Sequence, residues 1–222
     1  MKSNFKKKWI LILRKIRERF IPYISAGIII SVAIGAFFIY QNITNNKAYD
    51  KFLLATLSYQ KAQESNDAKE KLDEYQKASK IYEEIISKYP LVNNKKEILV
   101  YLGDCLYSIE NYDKAEKIFQ KFIKKYKDDY FTPWVKIKLS FLYEEKKDYD
   151  KAIQTYQDIL KEYPGKVIAP QGLLGIARCL ELQKKWEKAQ DTYQKLLTRY
   201  PLSNEALIAE AQLERLRGEG KI

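Results

Sequence analysis

Side chains that catalyse reactions or bind metal ions are scarce in this sequence. Its 222 residues contain no histidine, which excludes a serine–histidine dyad, a histidine general base and histidine ligands for a metal ion. It also lacks a glycine-rich phosphate-binding loop. Carboxylates are abundant, but they occur in patterns such as Glu144, Glu145 and Asp148, which are typical of a solvated helix face. We therefore expect no enzymatic activity, no cofactor and no bound metal ion.

The two cysteines, Cys105 and Cys179, are 74 residues apart. This separation is twice the repeat period described below, so both residues occupy the same position, two units apart. Neighbouring helices lie about 8 to 10 Å from each other, whereas a disulfide needs Cα atoms within about 7 Å. We expect two buried, reduced thiols that serve as small hydrophobic side chains, even in an oxidising compartment.

A repeat with a constant period of 37 residues positions most of the remaining side chains. Each unit has an aromatic residue, an alanine three positions later and a second aromatic residue four positions after the alanine. The first aromatic residues are Tyr75, Tyr112, Tyr149 and Trp186, the alanines are Ala78, Ala115, Ala152 and Ala189, and the second aromatic residues are Tyr82, Phe119, Tyr156 and Tyr193. This pattern predicts an all-α solenoid of about four helical hairpins, an architecture that usually binds partners.

The formal net charge of +11 comes mainly from the first twenty residues. Basic residues in this segment outnumber the single acidic residue, Glu18; they are Lys2, Lys6, Lys7, Lys8, Arg14, Lys15, Arg17 and Arg19. No recognition helix or RNA-binding motif accompanies them, so we expect no binding to nucleic acid. The cluster indicates instead a basic cytoplasmic tail over residues 1–20.

Residues 21–41 are predicted to form a single transmembrane helix. The segment from Ile21 to Tyr40 contains no charged residue, and twenty residues suffice to cross a hydrocarbon core of about 30 Å as a helix. Because lysine and arginine are retained on the cytoplasmic side during insertion, we expect a cytoplasmic N-terminus and an extracytoplasmic location for the rest of the chain.

A cleaved secretory signal is the alternative interpretation of this segment. The best small-residue cleavage site, at residues 33–36, is followed by Phe37, Phe38, Ile39 and Tyr40, so cleavage there would leave an apolar new terminus. The apolar run is followed by no nearby cysteine, which excludes a lipoprotein anchor at this position. These observations favour the membrane anchor.

The sequence beyond the anchor divides into three predicted parts. Residues 42–67 are predicted to form a linker and an atypical first helix, residues 68–217 the repeat domain and residues 218–222 a short tail. Ser65, Asn66 and Asp67 interrupt the helical pattern and offer an N-cap to the next helix. Thr132 before Pro133 predicts another cap, and Ser203 is predicted to cap a last helix that reaches about Arg217 and covers the end of the stack.

The run Leu102-Gly103, Leu106, Tyr112, Ala115 and Phe119, with the Tyr-Pro pairs 163–164 and 200–201, resembles tetratricopeptide repeats in a slightly lengthened form. Lys136 departs from the family pattern, which has a large apolar residue there. The basic tail, single span and repeats together resemble the ancillary subunit family of the bacterial Sec translocon and, more distantly, periplasmic repeat proteins of cell division and outer-membrane assembly. This resemblance implies a single-pass protein of the bacterial inner membrane with a periplasmic or extracytoplasmic repeat domain.

The resemblance also implies a binding surface. In tetratricopeptide repeats the concave face is formed by the first helix of each hairpin, and the register set by Gly103, Ser140 and Ala177 places nine residues there. They are Val100, Asp104, Tyr107, Trp134, Ile137, Phe141, Leu174, Arg178 and Glu181. One hypothesis is that Trp134, Ile137 and Phe141 form an apolar strip that binds an extended or helical segment of a protein partner. The other is that these side chains pack on adjacent helices, or that the register shifts at Lys136.

Three functions are compatible with these features. The first is a membrane-anchored scaffold that binds protein partners on the extracytoplasmic side, at the Sec translocon or in envelope protein biogenesis. The second is a structural or oligomerising component of a cell-division or outer-membrane assembly complex, with homo-oligomer contacts between repeats. The third is a carrier or an accessory to an enzyme.

Overall fold

The computed structural model describes residues 2–165 and 167–222, apart from the side chains of residues 2–8, 10–13, 22 and 24. Lys2, Lys6, Lys7 and Lys8 of the predicted basic tail therefore lie outside the described side chains. Secondary structure in the described residues consists of nine α-helices. They are α1 (Lys2–Glu64), α2 (Ala68–Lys88), α3 (Lys95–Ser108), α4 (Tyr112–Lys125), α5 (Thr132–Glu145), α6 (Tyr149–Glu162), α7 (Ala169–Leu182), α8 (Trp186–Arg199) and α9 (Asn204–Gly218).

These helices form a solenoid of antiparallel hairpins, which confirms the predicted fold class. Each helix packs against the next one in the chain. In addition, α1 contacts α3, α3 contacts α5, α5 contacts α7 and α7 contacts α9, whereas no such contact joins α2, α4, α6 and α8 in the described part of the chain. The first helices of the hairpins are thus closer together than the second helices, so the first helices line the inner, concave side.

The core of each hairpin is an alanine beneath an aromatic ring. All four predicted alanines have no exposed surface, and the four aromatic residues that follow them are at most 1% exposed. An alanine allows two helix backbones to approach closely, and the large ring one turn later fills the space that remains. The repeated pattern therefore serves as packing, as the sequence predicts.

The C-terminal part of α1 belongs to this packing as well. Ala48, Ala55 and Ala62 recur every seven residues and are completely buried, where α1 lies against α2. Residues 41–46, which the polar sequence suggested as an irregular linker or a helix start, are helical. They contain neither glycine nor proline, and the Thr44 hydroxyl donates to the carbonyl of Tyr40 at 3.0 Å, so nothing in this stretch ends the helix.

Two of the three predicted N-caps are present. Asp67 accepts a hydrogen bond from the Glu70 amide at 2.8 Å, and Ser203 accepts one from the Ala206 amide at 3.1 Å. The predicted cap at Thr132 is wrong, because Thr132 is already helical and its hydroxyl donates to the Tyr126 carbonyl at the end of α4. This bond links α5 to the preceding hairpin.

The turns within the second, third and fourth hairpins share one backbone geometry. Glu110, Lys147 and Lys184, each 37 residues from the next, all have a φ of 59°. In each turn the amide of the next residue donates to a carbonyl five residues earlier, as Asn111 does to Leu106 at 2.8 Å. This left-handed residue is a common helix C-terminal motif. The equal turns keep the hairpins in register.

Lys136 does not shift the register of α5. Its side chain is 11% exposed and its Nζ lies 2.6 Å from Glu162 Oε2, while its alkyl chain extends along the α5–α6 interface. Ser140, one turn later, is completely buried, as the predicted register requires. The lysine thus replaces a large apolar residue by extending to a partner on the adjacent helix.

The apolar segment of α1 stands apart from the solenoid. Within the described residues, α1 contains the one window long and apolar enough to cross a membrane, and none of that window is buried. Ile29 and Phe38, for example, are 67% and 66% exposed. A membrane span and a signal sequence both have this character.

Substitution of Gly103 tests the close approach of α3 and α4. A Cβ atom at this position would clash with the ring of Phe119, which is completely buried and has little room to move. We expect Gly103→Ala to lower the free energy of unfolding by about 1 to 2 kcal/mol, since overpacking outweighs the higher helix propensity of alanine.

Gly218→Ala is the matched control, because nothing lies near its Cβ position. Denaturation of the full chain in detergent, followed by circular dichroism, provides the measurement. Equal midpoints for the two variants would contradict the packing argument.

Candidate protein-binding surface

The nine residues predicted for the binding surface all lie on α3, α5 and α7, the helices that line the concave side. Their exposure differs widely. Trp134 is 40% exposed, Ile137 is 3% exposed and Leu174 is 8% exposed. The other six, Val100, Asp104, Tyr107, Phe141, Arg178 and Glu181, are partly buried. Ile137 and Leu174 thus belong to the core, and we correct their assignment to an accessible surface.

Trp134, Ile137 and Phe141 do not form one accessible strip. Ile137 packs into the core, and Phe141 makes an edge contact with the Tyr156 ring at 6.4 Å between centroids. One face of α5 must pack against both α4 and α6, so little of that face remains for a partner. The alternative hypothesis, packing on adjacent helices, therefore describes Ile137 and most of Phe141.

Three of the predicted residues instead share a pocket in the first half of the concave side. Asp104 and Tyr107 of α3 and Phe141 of α5 line a cavity of about 260 Å³. The other lining residues, which the sequence analysis did not select, come from five helices. They are Tyr59, Gln63, Tyr75, Ser108, Phe119 and Lys138. We call this cavity the Asp104 pocket.

Asp104 provides the charge at the floor of the pocket. Its side chain is 13% exposed, and its Oδ1 lies 2.8 Å from Nζ of Lys138. The Tyr59 hydroxyl donates to Asp104 Oδ2 at 3.2 Å. Burial raises the pKa of Asp104 above its usual value, although Lys138 and Tyr59 act in the opposite direction. Lys138 and Tyr59 thus compensate only part of the cost of desolvating the Asp104 carboxylate.

Aromatic rings form most of the pocket wall. The rings of Tyr59 and Tyr75 meet edge to face at 5.8 Å, and the rings of Tyr107 and Tyr112 lie 5.7 Å apart. Burial, with a smaller contribution from Glu145, raises the pKa of Tyr107 to about 12. The tyrosine hydroxyls therefore stay protonated and can act as hydrogen-bond donors at neutral pH.

The second half of the concave side is occupied by a repeated hydrogen-bond network. Arg178 donates to both Glu144 oxygens at 2.7 Å, and the Tyr156 hydroxyl donates to Glu144 at 2.6 Å. Burial raises the pKa of Tyr156.

One unit later, Tyr193, Glu181 and Arg215 repeat this arrangement. The Arg178–Glu144 pair is bidentate, a geometry that makes such pairs strong and well defined, whereas Arg215 bonds a single oxygen of Glu181. Arg178 and Glu181, which the sequence analysis places on the concave face, are thus engaged within the protein.

Trp134 contributes to a different cavity. Together with Asp128, Asp129, Tyr130, Pro133, Tyr163, Val167 and Ile168 it lines about 390 Å³ at the start of α5. These residues come from two connections between hairpins and from the first turn of α5. Trp134 therefore belongs to the edge of the solenoid and lies outside the Asp104 pocket.

Sequence reasoning missed Tyr59, Gln63 and Lys138. Tyr59 and Gln63 lie on α1, which the sequence analysis placed outside the repeats, so no repeat register was applied to them. Lys138 lies one helical turn before Phe141, which is the residue one period after Asp104. Stacking of α3 on α5 brings Lys138 next to Asp104. The repeat period could therefore have indicated Lys138 as a neighbour of Asp104.

The described residues hold no group of three or more histidine, cysteine and carboxylate side chains that could bind a metal ion. Cys105 and Cys179 are buried and unbonded, which confirms the prediction of two free thiols. Burial raises the pKa of Cys179 to about 12 and that of Cys105 further. Both thiols are therefore protonated and weakly nucleophilic at neutral pH.

The pH dependence of stability tests the environment of Asp104. A carboxyl group with a raised folded-state pKa contributes stability that is complete below its unfolded pKa of about 3.9 and is lost as the pH rises through the folded value. The Asp104→Asn variant has no carboxyl group to titrate at this position. We expect the stability of the natural chain relative to Asp104→Asn to fall as the pH rises from about 4 to 7.

Asp113→Asn is the control of opposite sign. Lys146 lowers the pKa of Asp113, so the natural chain should gain stability relative to this variant as the pH rises. Thermal midpoints of the three chains across the pH range provide the measurement. Parallel curves for Asp104→Asn and the natural chain would contradict the assignment.

Solved structures with the same architecture are numerous. A tetratricopeptide repeat protein from Parabacteroides merdae is 17% identical to this chain, with a TM-score of 0.58. The alignment covers 78% of this chain and 61% of that protein. The nearly identical TPR-like repeats of a putative kinesin light chain from Podosopora anserina are 11% identical with a TM-score of 0.61, at 80% coverage of this chain and 88% of that one.

MamA from Desulfovibrio magneticus RS-1 is 14% identical with a TM-score of 0.51, at 76% and 94% coverage. At such identities these similarities show the fold alone. This chain spans about 61% of the length of the Parabacteroides protein. No curated protein matches the sequence significantly.

Two sequence models of the tetratricopeptide repeat match the chain. One covers residues 137–213 and the other residues 52–91 and 97–129. The match begins within α1, before the predicted domain boundary at residue 68, and includes Tyr59 and Gln63 of the Asp104 pocket. Together the matched segments cover most of the solenoid, and the chain belongs to the tetratricopeptide repeat family.

Proposed function

We propose that this protein is a membrane-anchored scaffold whose Asp104 pocket binds a segment of a protein partner on the extracytoplasmic side. The tetratricopeptide repeat fold is consistent with a protein–protein interaction scaffold. The observation that carries the proposal is the Asp104 pocket, which is the part of the concave side where polar groups and aromatic rings remain accessible. Of the other predicted surface residues, Trp134 lies at the edge of the solenoid. The rest pack in or against the core or form ion pairs; they are Val100, Ile137, Leu174, Arg178 and Glu181.

The chemistry of the Asp104 pocket suits a peptide. A volume of about 260 Å³ accommodates one or two side chains, and rings from Tyr59, Tyr75 and Tyr107 offer apolar walls with polar tips. Asp104 can accept a hydrogen bond from a peptide amide, while Lys138 and Gln63 can donate to a carbonyl. An apolar side chain flanked by its own backbone groups satisfies both kinds of contact.

The anchor is supported by the charge asymmetry and the continuity of α1. The basic cluster lies entirely before the apolar segment, which favours a cytoplasmic N-terminus. The same helix continues without interruption into the first hairpin, so the repeat domain would be held directly at the membrane. A tether raises the local concentration of its partners, and components of the Sec translocon or of envelope protein biogenesis are the partners that we propose.

Self-association in a cell-division or outer-membrane assembly complex is the second candidate. Its supporting observation is an apolar stripe on the outer side of α1. Tyr49, Leu53 and Leu57 recur every four residues and are 54%, 45% and 55% exposed. Such a stripe on the terminal helix of a solenoid can pack against a second copy.

Photocrosslinking in cells tests both candidates. A photoreactive residue at Gln63, in the Asp104 pocket, is compared with one at Gln157, an exposed glutamine on α6 of the outer layer. We expect crosslinks to translocon subunits or to secreted chains in transit from position 63 and not from position 157. Lys138→Ala, which removes a pocket group with a 39% exposed side chain, should reduce this capture by about tenfold, the effect of losing one hydrogen bond to a charged group.

The outcomes separate the candidates. Capture of division or outer-membrane assembly proteins, or of a second copy of the chain, would favour the second candidate. Equal capture from positions 63 and 157 would reject the pocket as the binding site. Circular dichroism of the Lys138→Ala variant shows whether the helices remain intact.

A further inference from the structure

Beyond α1, six of the ten large apolar side chains that are exposed in the described residues lie in or beside the connections between hairpins. We call this set of connections, residues 89–94, 126–131, 163–165, 167–168 and 200–203, the loop edge. Leu91 is 59% exposed, Tyr130 78%, Val167 84% and Leu202 100%. Phe131 and Trp134 lie beside Tyr130 and are 42% and 40% exposed. Each described connection therefore presents at least one large apolar side chain to the surroundings.

The turns within the hairpins have a different character. Residues 109–111, 146–148 and 183–185 lie at the opposite edge of the solenoid, because consecutive helices run antiparallel. Their exposed side chains are charged, as at Glu110, Lys147 and Lys184. The apolar exposure of the loop edge is thus not a general property of the turns in this fold.

The position of the loop edge is fixed relative to the apolar segment of α1. Gln41, which follows that segment directly, donates from its Nε2 to the Leu91 carbonyl at 2.8 Å. Tyr40, Gln41 and Thr44 also line a small cleft with Pro90 and Leu91. Since a helix rises about 1.5 Å per residue, the first connection lies within a few ångströms of the end of the predicted span. The other connections lie along the same edge.

The residues of the loop edge match the chemistry of a membrane interface. Tyrosine and tryptophan favour the level of the lipid headgroups, with the ring in the apolar region and the polar tip in water. Lys88, Lys95 and Lys96 flank the first connection and Lys124, Lys125 and Lys127 the second, and in both segments lysines outnumber acidic residues. Lysines near the surface attract anionic headgroups.

We propose that the loop edge rests on the surface of the membrane that α1 enters, with Tyr130, Trp134 and Val167 at the headgroup level. This inference rests on the membrane anchor of the proposed function. The hairpin helices then stand along the membrane normal, and the concave side with its Asp104 pocket opens parallel to the membrane plane. Because α1 already tethers the domain, each apolar contact needs to add only a little free energy to hold this orientation.

The three natural tryptophans provide a matched test in the full chain. Trp134 lies at the loop edge and Trp186 at the start of α8, beside the opposite edge. The Trp9→Phe/Trp186→Phe variant leaves Trp134 as the reporter, and the Trp9→Phe/Trp134→Phe variant leaves Trp186. A third variant, in which Phe38→Trp is combined with phenylalanine at all three natural positions, reports on the span.

Each variant is reconstituted into vesicles of phosphatidylglycerol and phosphatidylcholine brominated near the headgroup. Acrylamide quenching in detergent corrects for the different burial of the reporters. We expect bromine quenching of Trp134 to exceed that of Trp186 by at least about threefold, because only interfacial side chains contact the brominated carbons. A Tyr130→Ser/Val167→Ser variant, which changes two exposed side chains, should reduce the quenching of Trp134.

The span reporter distinguishes failure of this inference from failure of the proposed function. Strong quenching at Phe38→Trp with equal, weak quenching of Trp134 and Trp186 would retain the anchor and overturn the membrane contact, leaving the loop edge for a protein partner. Absence of quenching at Phe38→Trp would reject the anchor and the contact together.

Discussion

The close approach of two helices over a buried alanine is the constraint on which the rest of this structure depends. In each hairpin the alanine brings the backbones together and the aromatic ring one turn later closes the core, with at most 1% of any of these eight residues exposed. Because the unit length never changes, the second, third and fourth hairpins share one turn geometry. The concave side, the charged turns and the apolar loop edge all follow from this regular stacking.

Three positions of the repeat decide where the concave side remains open. Tyr156 and Tyr193 have hydroxyl groups that need partners when buried, and these are supplied by Glu144 with Arg178 and by Glu181 with Arg215. Phe119 at the same position of the second hairpin has no hydroxyl, and the corresponding network is absent there among the described residues. Tyr107 and Phe141 occupy the positions of Glu144 and Arg178 in that unit, and both line the Asp104 pocket together with the Phe119 ring.

Helix α1 connects the proposed membrane anchor to the proposed binding surface. One helix, α1, carries the apolar segment and also supplies Tyr59 and Gln63 to the pocket. A membrane anchor on this helix would therefore fix the height and orientation of the binding surface, with no flexible linker in between. In the proposed arrangement the partner is bound beside the membrane, within reach of proteins embedded in the same bilayer.

The sequence by itself determined the period, the helical hairpins, the buried alanines and aromatic residues, the caps at Asp67 and Ser203 and the two buried thiols. These features depend on local spacing, which a linear pattern contains. The cap at Thr132 was predicted wrongly because a hydroxyl at a helix start has several possible acceptors, and only packing selected the Tyr126 carbonyl.

Only the tertiary structure decided which residues of the concave side are accessible. A side chain on the first helix of a hairpin can face a partner, the next helix or an oppositely charged residue. The position of a residue in the helical repeat is the same in all three cases. Ile137 packs in the core, Arg178 forms an ion pair with Glu144, and Asp104 forms an ion pair with Lys138 in the Asp104 pocket. The reason is physical: burial and pairing are properties of several helices together, and the spacing within one helix does not contain them.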